Sequence, residues 1–234
     1  MNADGRWGVL VALAVATGLV VAPFGAVAPA AAATTLVVDA DGTADFASIG
    51  AAVDAASDGD VVEVRQGAYD ERVVVDSAVS LVATGDVVLD GGDRTGTAIN
   101  VTAPDVVVDG FEIRRYGTGI RVGANNATVR DVRVRLVDGD AVRASGVDDV
   151  TVRDLTAEGN DAGVRVVDAG SVTVAGARIE DGTDAGVRTT GTATVTVRDA
   201  TIRANRDADD DAFNEDEAPS GIDATNAEAV TVEN

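Results

Sequence analysis

The sequence predicts an all-β fold, a single-stranded right-handed parallel β-helix closed at its N-terminal end by a short capping helix. Three observations carry that expectation: a repeat of about 22 residues, apolar alternation with a period of two inside each repeat, and one amphipathic stretch ahead of the first repeat.

The repeat is read from five aligned segments. They are TAINVTAPDVVVDGFEI from Thr97, TGIRVGANNATVRDVRV from Thr118, DAVRASGVDDVTVRDLTA from Asp140, AGVRVVDAGSVTVAGARI from Ala162 and AGVRTTGTATVTVRDATI from Ala185. A sixth, SGIDATNAEAVTVEN, begins at Ser220. The first apolar anchors are Ile99, Ile120, Val142, Val164, Val187 and Ile222, at steps of 21, 22, 22, 23 and 35. The last step is one beat plus an insertion of about 13 residues. A second set, Val108, Val129, Val152, Val174, Val197 and Val232, keeps the same rhythm.

Inside a repeat the alternation means strand. Val150, Val152, Leu155 and Ala157 are expected to point inward, Thr151, Arg153, Thr156 and Glu158 outward, with Asp154 taking the bend. No stretch within the beat carries a 3.6-residue apolar stripe, which argues against leucine-rich and helical solenoids. Three short strands joined by turns fill about 22 residues, and stacked coils form parallel sheets at about 4.8 Å spacing. Their crossovers are expected to be right-handed, as nearly all parallel connections are.

Ahead of the repeats, Phe46, Ile49, Val53 and Ala56 make one face of a short helix, with Asp45 as its expected N-cap and Gly59 placed to end it. Such a helix covers an open solenoid end, where bare strand edges invite aggregation. No comparable cap is evident at the other end, where AVTVEN stops in mid-coil, and the expectation is a truncated chain.

The N-terminus reads as a targeting segment. Arg6 precedes an unbroken small-and-apolar run from Val9 to Ala22, and Ala31-Ala32-Ala33 supplies an A-x-A site. Pro23, Gly25 and Pro29 break the stretch, which argues against a membrane anchor of about 20 apolar residues. The expected organisation is a secretory signal over 1–33 and a β-helix over 34–234. Within the latter the cap takes 36–60, the coils 61–234 and an acidic insertion 206–220. The expected location is outside the cell or on its surface, with no membrane span once the signal is cleaved.

Composition bounds the chemistry. The 234 residues contain no cysteine and no histidine, and the one methionine is Met1. Disulfides, thiolate sites, and the usual imidazole and thioether ligands for zinc or copper are therefore absent, as is the commonest general base. There are 40 acidic against 18 basic residues, a formal net charge of −22, and every basic residue is arginine. That field repels nucleic acid and anionic lipid, which are discounted as partners. Heavy aspartate, absent lysine and small apolar residues resemble the proteins of salt-loving archaea. In molar salt the Debye length shrinks to roughly 3 Å and screens the self-repulsion.

The segment from Val37 to Val75 is similar to the opening of pectin-lyase-like β-helix proteins. It carries D-G-x-x-D-F-x-S-I-x-x-A-V-x-A-A, a G-D turn, a β run and G-x-Y-x-E. The likeness extends over Leu36 to Asn234 and includes the NosD-type and carbohydrate-binding or sugar-hydrolase-type repeats. It is specific for the fold and weak for activity. Pectin methylesterases, which share the opening, need further glutamine, aspartate and tryptophan motifs, yet Gln66 is the only glutamine here and the middle coils hold no tryptophan. Pectate lyases use carboxylate-bound calcium and an arginine base, and both residue types abound in this chain. The copper role of NosD-type proteins is not carried over, because soft ligands are missing.

Candidate site residues fall in three groups. Arg121, Arg143, Arg165 and Arg188 each follow a first anchor, so they are expected to stack in one outward column. Neighbours about 4.8 Å apart repel by about 0.9 kcal/mol per pair in water-like surroundings. Asp140, Asp161 and Asp184, at the turn before three of the four, are placed to offset it. A second column, Arg130, Arg153 and Arg198, has an aspartate after each member. The plain reading is a solvated face of alternating charge; the sharper one is a grip on an acidic polysaccharide or cell-surface glycan. In the insertion, Asp207, Asp209 and Asp211 match the first three ligands of an EF-hand loop, with Glu215 as a fourth candidate, which makes calcium the one cofactor expected. Ala212 and Ala218 stand where that loop needs glycine and a bidentate glutamate. Asn100-Val-Thr and Asn126-Ala-Thr are acceptor sequences for glycosylation. No catalytic residue stands out. The expected function is a non-enzymatic glycan-contacting, adhesive or structural β-helix, with a calcium-assisted polysaccharide lyase or glycoside hydrolase as the alternative.

Overall fold

The computed structural model describes residues 32–203, 205 and 221–233. The expected signal, apart from its last two residues, and the whole acidic insertion with Asp207, Asp209, Asp211 and Glu215 lie outside the described residues. No helix among the described residues is long and apolar enough to cross a membrane.

The compact unit from Ala33 onward is a parallel β-solenoid of about seven turns with one short helix. Its strands run along three faces, and on each face the inward side chains stack in register from turn to turn. On the first face the stack is Leu36, Val62, Leu81, Val108, Val129, Val152, Val174, Val197 and Val232. On the second it is Tyr69, Leu89, Ile113, Val134, Ala157, Ile179 and Ile202. On the third it is Val73, Ile99, Ile120, Val142, Val164, Val187 and Ile222. Both sets of sequence anchors are therefore true columns. Val150, Val152, Leu155 and Ala157 are buried as expected. Each such aliphatic side chain contributes about 1.5–3 kcal/mol by leaving water, which makes this tube the main source of stability.

The corners explain the small and turn-forming residues. Between the first and second faces one residue per turn takes the left-handed conformation: Gly110, Asp131, Asp154, Gly176 and Asp199. Aspartate tolerates that geometry better than most side chains. The peptide N–H groups of Asp131 and Asp154 donate to the carbonyls of Arg153 and Ala175 on the next turn, at 3.2 and 2.9 Å. Between the second and third faces the chain passes so closely under its neighbours that Gly163 and Gly186 have no room for a Cβ, which would strike Ile179 and Ile202. Two buried asparagines tie this second corner together. Asn160 accepts from the Val137 N–H (3.2 Å) and donates to the Val134 carbonyl (3.2 Å), and Asn205 repeats the pattern with Gly182 and Ile179.

The N-terminal cap differs from the expectation at its start. The helix spans Ile49–Ala55, and its N-cap is Ser48, whose hydroxyl accepts from the Ala51 N–H at 3.3 Å. Asp45 instead accepts from the Val37 N–H at 3.2 Å, and Phe46 forms a parallel bridge with Val38. Phe46 is drawn out of the helix because extending the first strand pairs its backbone. The helix ends at Ala55, short of Gly59, whose N–H bonds to the Ala78 carbonyl at 2.8 Å. Glu71 completes the cap: its carboxylate accepts from the Ile49 and Gly50 N–H groups, both at 3.0 Å. The glutamate of the G-x-Y-x-E motif thus satisfies orphan donors at the helix start. At the far end the last strands, Ile222–Thr225 and Ala229–Glu233, leave Val230 and Val232 exposed.

Candidate functional site

Among the described residues, the third face carries an extended file of like charges. Reading outward positions turn by turn gives Val74, Asn100, Arg121, Arg143, Arg165, Arg188 and Asp223, each paired in register with the next. The four arginines are thus brought together as expected, but they do not share one environment.

Arg165 sits at the centre of a charge cluster. Its Nε donates to both oxygens of Asp140 (2.8 and 3.0 Å), and its Nη2 donates to Asp184 (2.6 Å) and Asp161 (3.2 Å). Arg188 continues the ladder to Asp184 (2.7 Å) and Asp223 (3.4 Å). The Asp140 and Asp184 side chains are only 4% and 5% exposed, and the Arg165 and Arg188 side chains 19% and 18%. Burial pushes the Asp140 carboxyl above the usual carboxylate range, against the pull of Arg165 and Arg143. Burial also opposes the Arg165 guanidinium, yet its carboxylate partners outweigh that and raise its affinity for the proton.

The other half of the file is open. Arg143 reaches Asp140 at 3.4 Å with its side chain 48% exposed. Arg121 is exposed and makes no ion pair among the described residues. Nothing at the turn before it corresponds to Asp140, Asp161 or Asp184, because Gly117 and Thr118 occupy that place. Two guanidinium groups one turn apart therefore face solvent with most of their donors unused.

The second arginine column is interrupted for one turn. Ala175 stands in register between Arg153 and Arg198. Arg130 pairs with Asp109 on the preceding turn (2.8 Å) rather than with Asp131. The second face adds a charge network that the sequence reading missed. Asp90 accepts from Arg114 (2.9 Å) and from Arg115, and these hydrogen bonds hold its carboxyl well down, to about 2. Tyr116 is buried beside it, its hydroxyl donating to the Glu71 carbonyl at 2.6 Å, and burial pushes its phenol up to about 12.

Asn100 lies half-buried on the third face beneath Arg121, and Asn126 is exposed at a left-handed turn position with its amide on Asp105. Among the described residues no cluster of three or more histidine, cysteine or acidic side chains is arranged to hold a metal ion.

The family comparison agrees with this architecture. The model of the right-handed beta helix region matches residues 88–234. The chain belongs to the right-handed β-helix family. Two solved structures are similar to it. Pectate lyase Pel9A superposes with a TM-score of 0.64 at 17% identity, covering 81% of this β-helix chain and 57% of that one. A rhamnogalacturonan lyase superposes with a TM-score of 0.64 at 16% identity, covering 85% of this chain and 65% of that one. The β-helix thus spans less than two thirds of either neighbour. At such identities the likeness is one of fold. No curated protein matches the sequence.

Proposed function

We propose that this β-helix is an extracellular polysaccharide-contacting protein that holds carboxylated sugars through Arg121 and Arg143 on its third face. The observation that carries the reading is the pair of exposed guanidinium groups held one turn apart by strand register, beside two further arginines already committed to aspartates. A guanidinium binds a carboxylate through parallel N–H donors, so two at a fixed spacing favour a polymer bearing acidic groups at intervals. The similar solved structures are lyases named for pectate and rhamnogalacturonan, which supports polysaccharide as the ligand class. The A-x-A segment ending at Ala33 supports export, and Asn100 and Asn126 are the proposed acceptors for glycosylation. Calcium binding by Asp207, Asp209, Asp211 and Glu215 remains part of the proposal as a separate loop function.

Calorimetric titration with polygalacturonate tests the reading. Saturable binding by the parent, weakened at least tenfold in Arg121→Ala plus Arg143→Ala, is the expected result; equal binding by both proteins overturns it. The second reading, a lyase, rests on the two similar solved structures, both named as lyases. Appearance of unsaturated sugar ends on incubation with polygalacturonate and calcium favours it over plain binding.

A further inference from the structure

A concave site lies away from the arginine file, at the bend between the first and second faces. It is an open groove of about 350 Å³ that follows the solenoid axis across four consecutive turns. At about 4.8 Å per turn its length is roughly 14 Å, and its volume falls in the range of small-ligand sites. Beneath it Val87, Phe111 and Val132 are buried in the core of the tube, so the groove's own surface is backbone and polar side chains.

The groove exists because of a change in the bend file. Further along, that file carries aspartate at Asp131 and Asp154, but at Gly110 it has no side chain. Gly110 has a φ of +85° and packs against Ala83, so the backbone itself forms the trough there. Asp86 lies at one end of the trough, with Asp131 and Asp154 toward the other. Arg133 and Thr156 add a cationic donor and a hydroxyl to the wall. Among the described residues, the side chains of Asp86, Asp131, Arg133 and Asp154 make no hydrogen bond or ion pair. The rim therefore offers hydrogen-bonding groups of both signs, with spare capacity, at intervals of one turn.

We infer that this groove binds a neutral, polyhydroxylated chain, a stretch of uncharged polysaccharide, rather than the acidic polymer assigned to the arginine file. An anionic ligand meets three unpaired carboxylates here. Sugar hydroxyls donate to Asp86, Asp131 and Asp154 and accept from Arg133, so charge-assisted hydrogen bonds form without a counter-ion. An extended chain of pyranose units advances by a distance close to one solenoid turn, so successive sugars meet successive turns.

The test is titration of the full chain with a panel of cellohexaose, mannohexaose and maltohexaose, followed by calorimetry or ligand-observed NMR. The variant is Asp131→Gly plus Asp154→Gly, in which glycine suits the left-handed backbone, as Gly110 and Gly176 show at the same corner. Arg133→Ala is a second variant on an exposed side chain. Saturable binding of at least one hexaose is expected, weakened at least tenfold in the double variant and severalfold in Arg133→Ala. Arg121→Ala plus Arg143→Ala leaves it unchanged, which separates this site from the one proposed above. Silence across the panel, or equal binding by the parent and the glycine variant, overturns the inference. So does spermidine binding that needs the two aspartates while no hexaose binds, which marks a cation site instead.

Discussion

Two halves of one arginine file, built from the same residue type at the same strand position, have opposite physical characters. Arg165 and Arg188 are largely covered and locked to Asp140, Asp161, Asp184 and Asp223. Arg143 keeps one long contact, and Arg121 none among the described residues. What separates them is how the carboxylates reach across turns: Asp140, which precedes Arg143, makes its shorter contacts to Arg165, Asp184 bridges Arg165 and Arg188, and the turn before Arg121 carries only glycine and threonine. A repeat protein can thus leave part of a charge ladder open to solvent by omitting the acidic residues from one turn.

The sharpest way to break this contrast is to remove a carboxylate from the locked half. Asp184→Ala takes one carboxylate from Arg165, which keeps Asp140 and Asp161, and one from Arg188, which keeps Asp223, and loss of such charged hydrogen bonds costs about 1.5–3 kcal/mol. Urea unfolding monitored by circular dichroism reads this as a large fall in midpoint. A midpoint within error of the parent removes the claim that this half is structural.

Acid probes a comparable lock on the second face. Asp90 is held at about 2 by Arg115, with burial opposing and Gly92 and Arg114 assisting. Its folded-state value lies below the ordinary carboxylate value, so the contribution is complete above about pH 4 and is lost as pH falls toward 2. After discounting for the exposed arginine partners, that is on the order of 1–2 kcal/mol. Arg115→Ala is expected to flatten the loss of stability between pH 4 and pH 2; an unchanged pH profile contradicts the assignment.

A smaller effect, of opposite sign, is expected inside the tube. Thr189 is fully buried between Val166 and Ala224, and its hydroxyl has no partner among the described residues. Valine keeps the shape and removes the unsatisfied group, so Thr189→Val raises stability by about 1 kcal/mol in the same unfolding assay. A destabilised variant shows that the hydroxyl is satisfied. The smallest effect belongs to the open half: Arg121→Ala changes stability by less than about 0.5 kcal/mol. A larger loss means that Arg121 serves the scaffold after all.

How much of this was legible in the sequence depends on whether each feature repeats with the beat. The valines of the first face recur once per turn, and so does the bend residue, so Val129, Val152 and Asp154 are placed directly from the alignment. Asn160 and Asn205 lie two beats apart and carry the same signal, though only the backbone groups they meet reveal their purpose. The helix start was misplaced because Asp45 and Ser48 are both good caps, and strand pairing by Phe46 decides between them. The cap made by Glu71 spans 22 residues through space and leaves no local trace. The division of the arginine file was hidden because Asp140, Asp161 and Asp184 precede their arginines in the same way. Their reach across turns to Arg165 is what distinguishes them. The groove depends on a glycine where other turns carry aspartate, a difference visible in the alignment whose meaning needs the neighbouring turns in place.

The most direct test of the central claim compares polygalacturonate affinity with stability for the two halves of the file. Arg121→Ala plus Arg143→Ala is expected to lose binding at least tenfold while its urea midpoint stays close to that of the parent. If instead this pair unfolds like Asp184→Ala, or binds as tightly as the parent, the open half is not a recognition surface and the contrast between the halves fails.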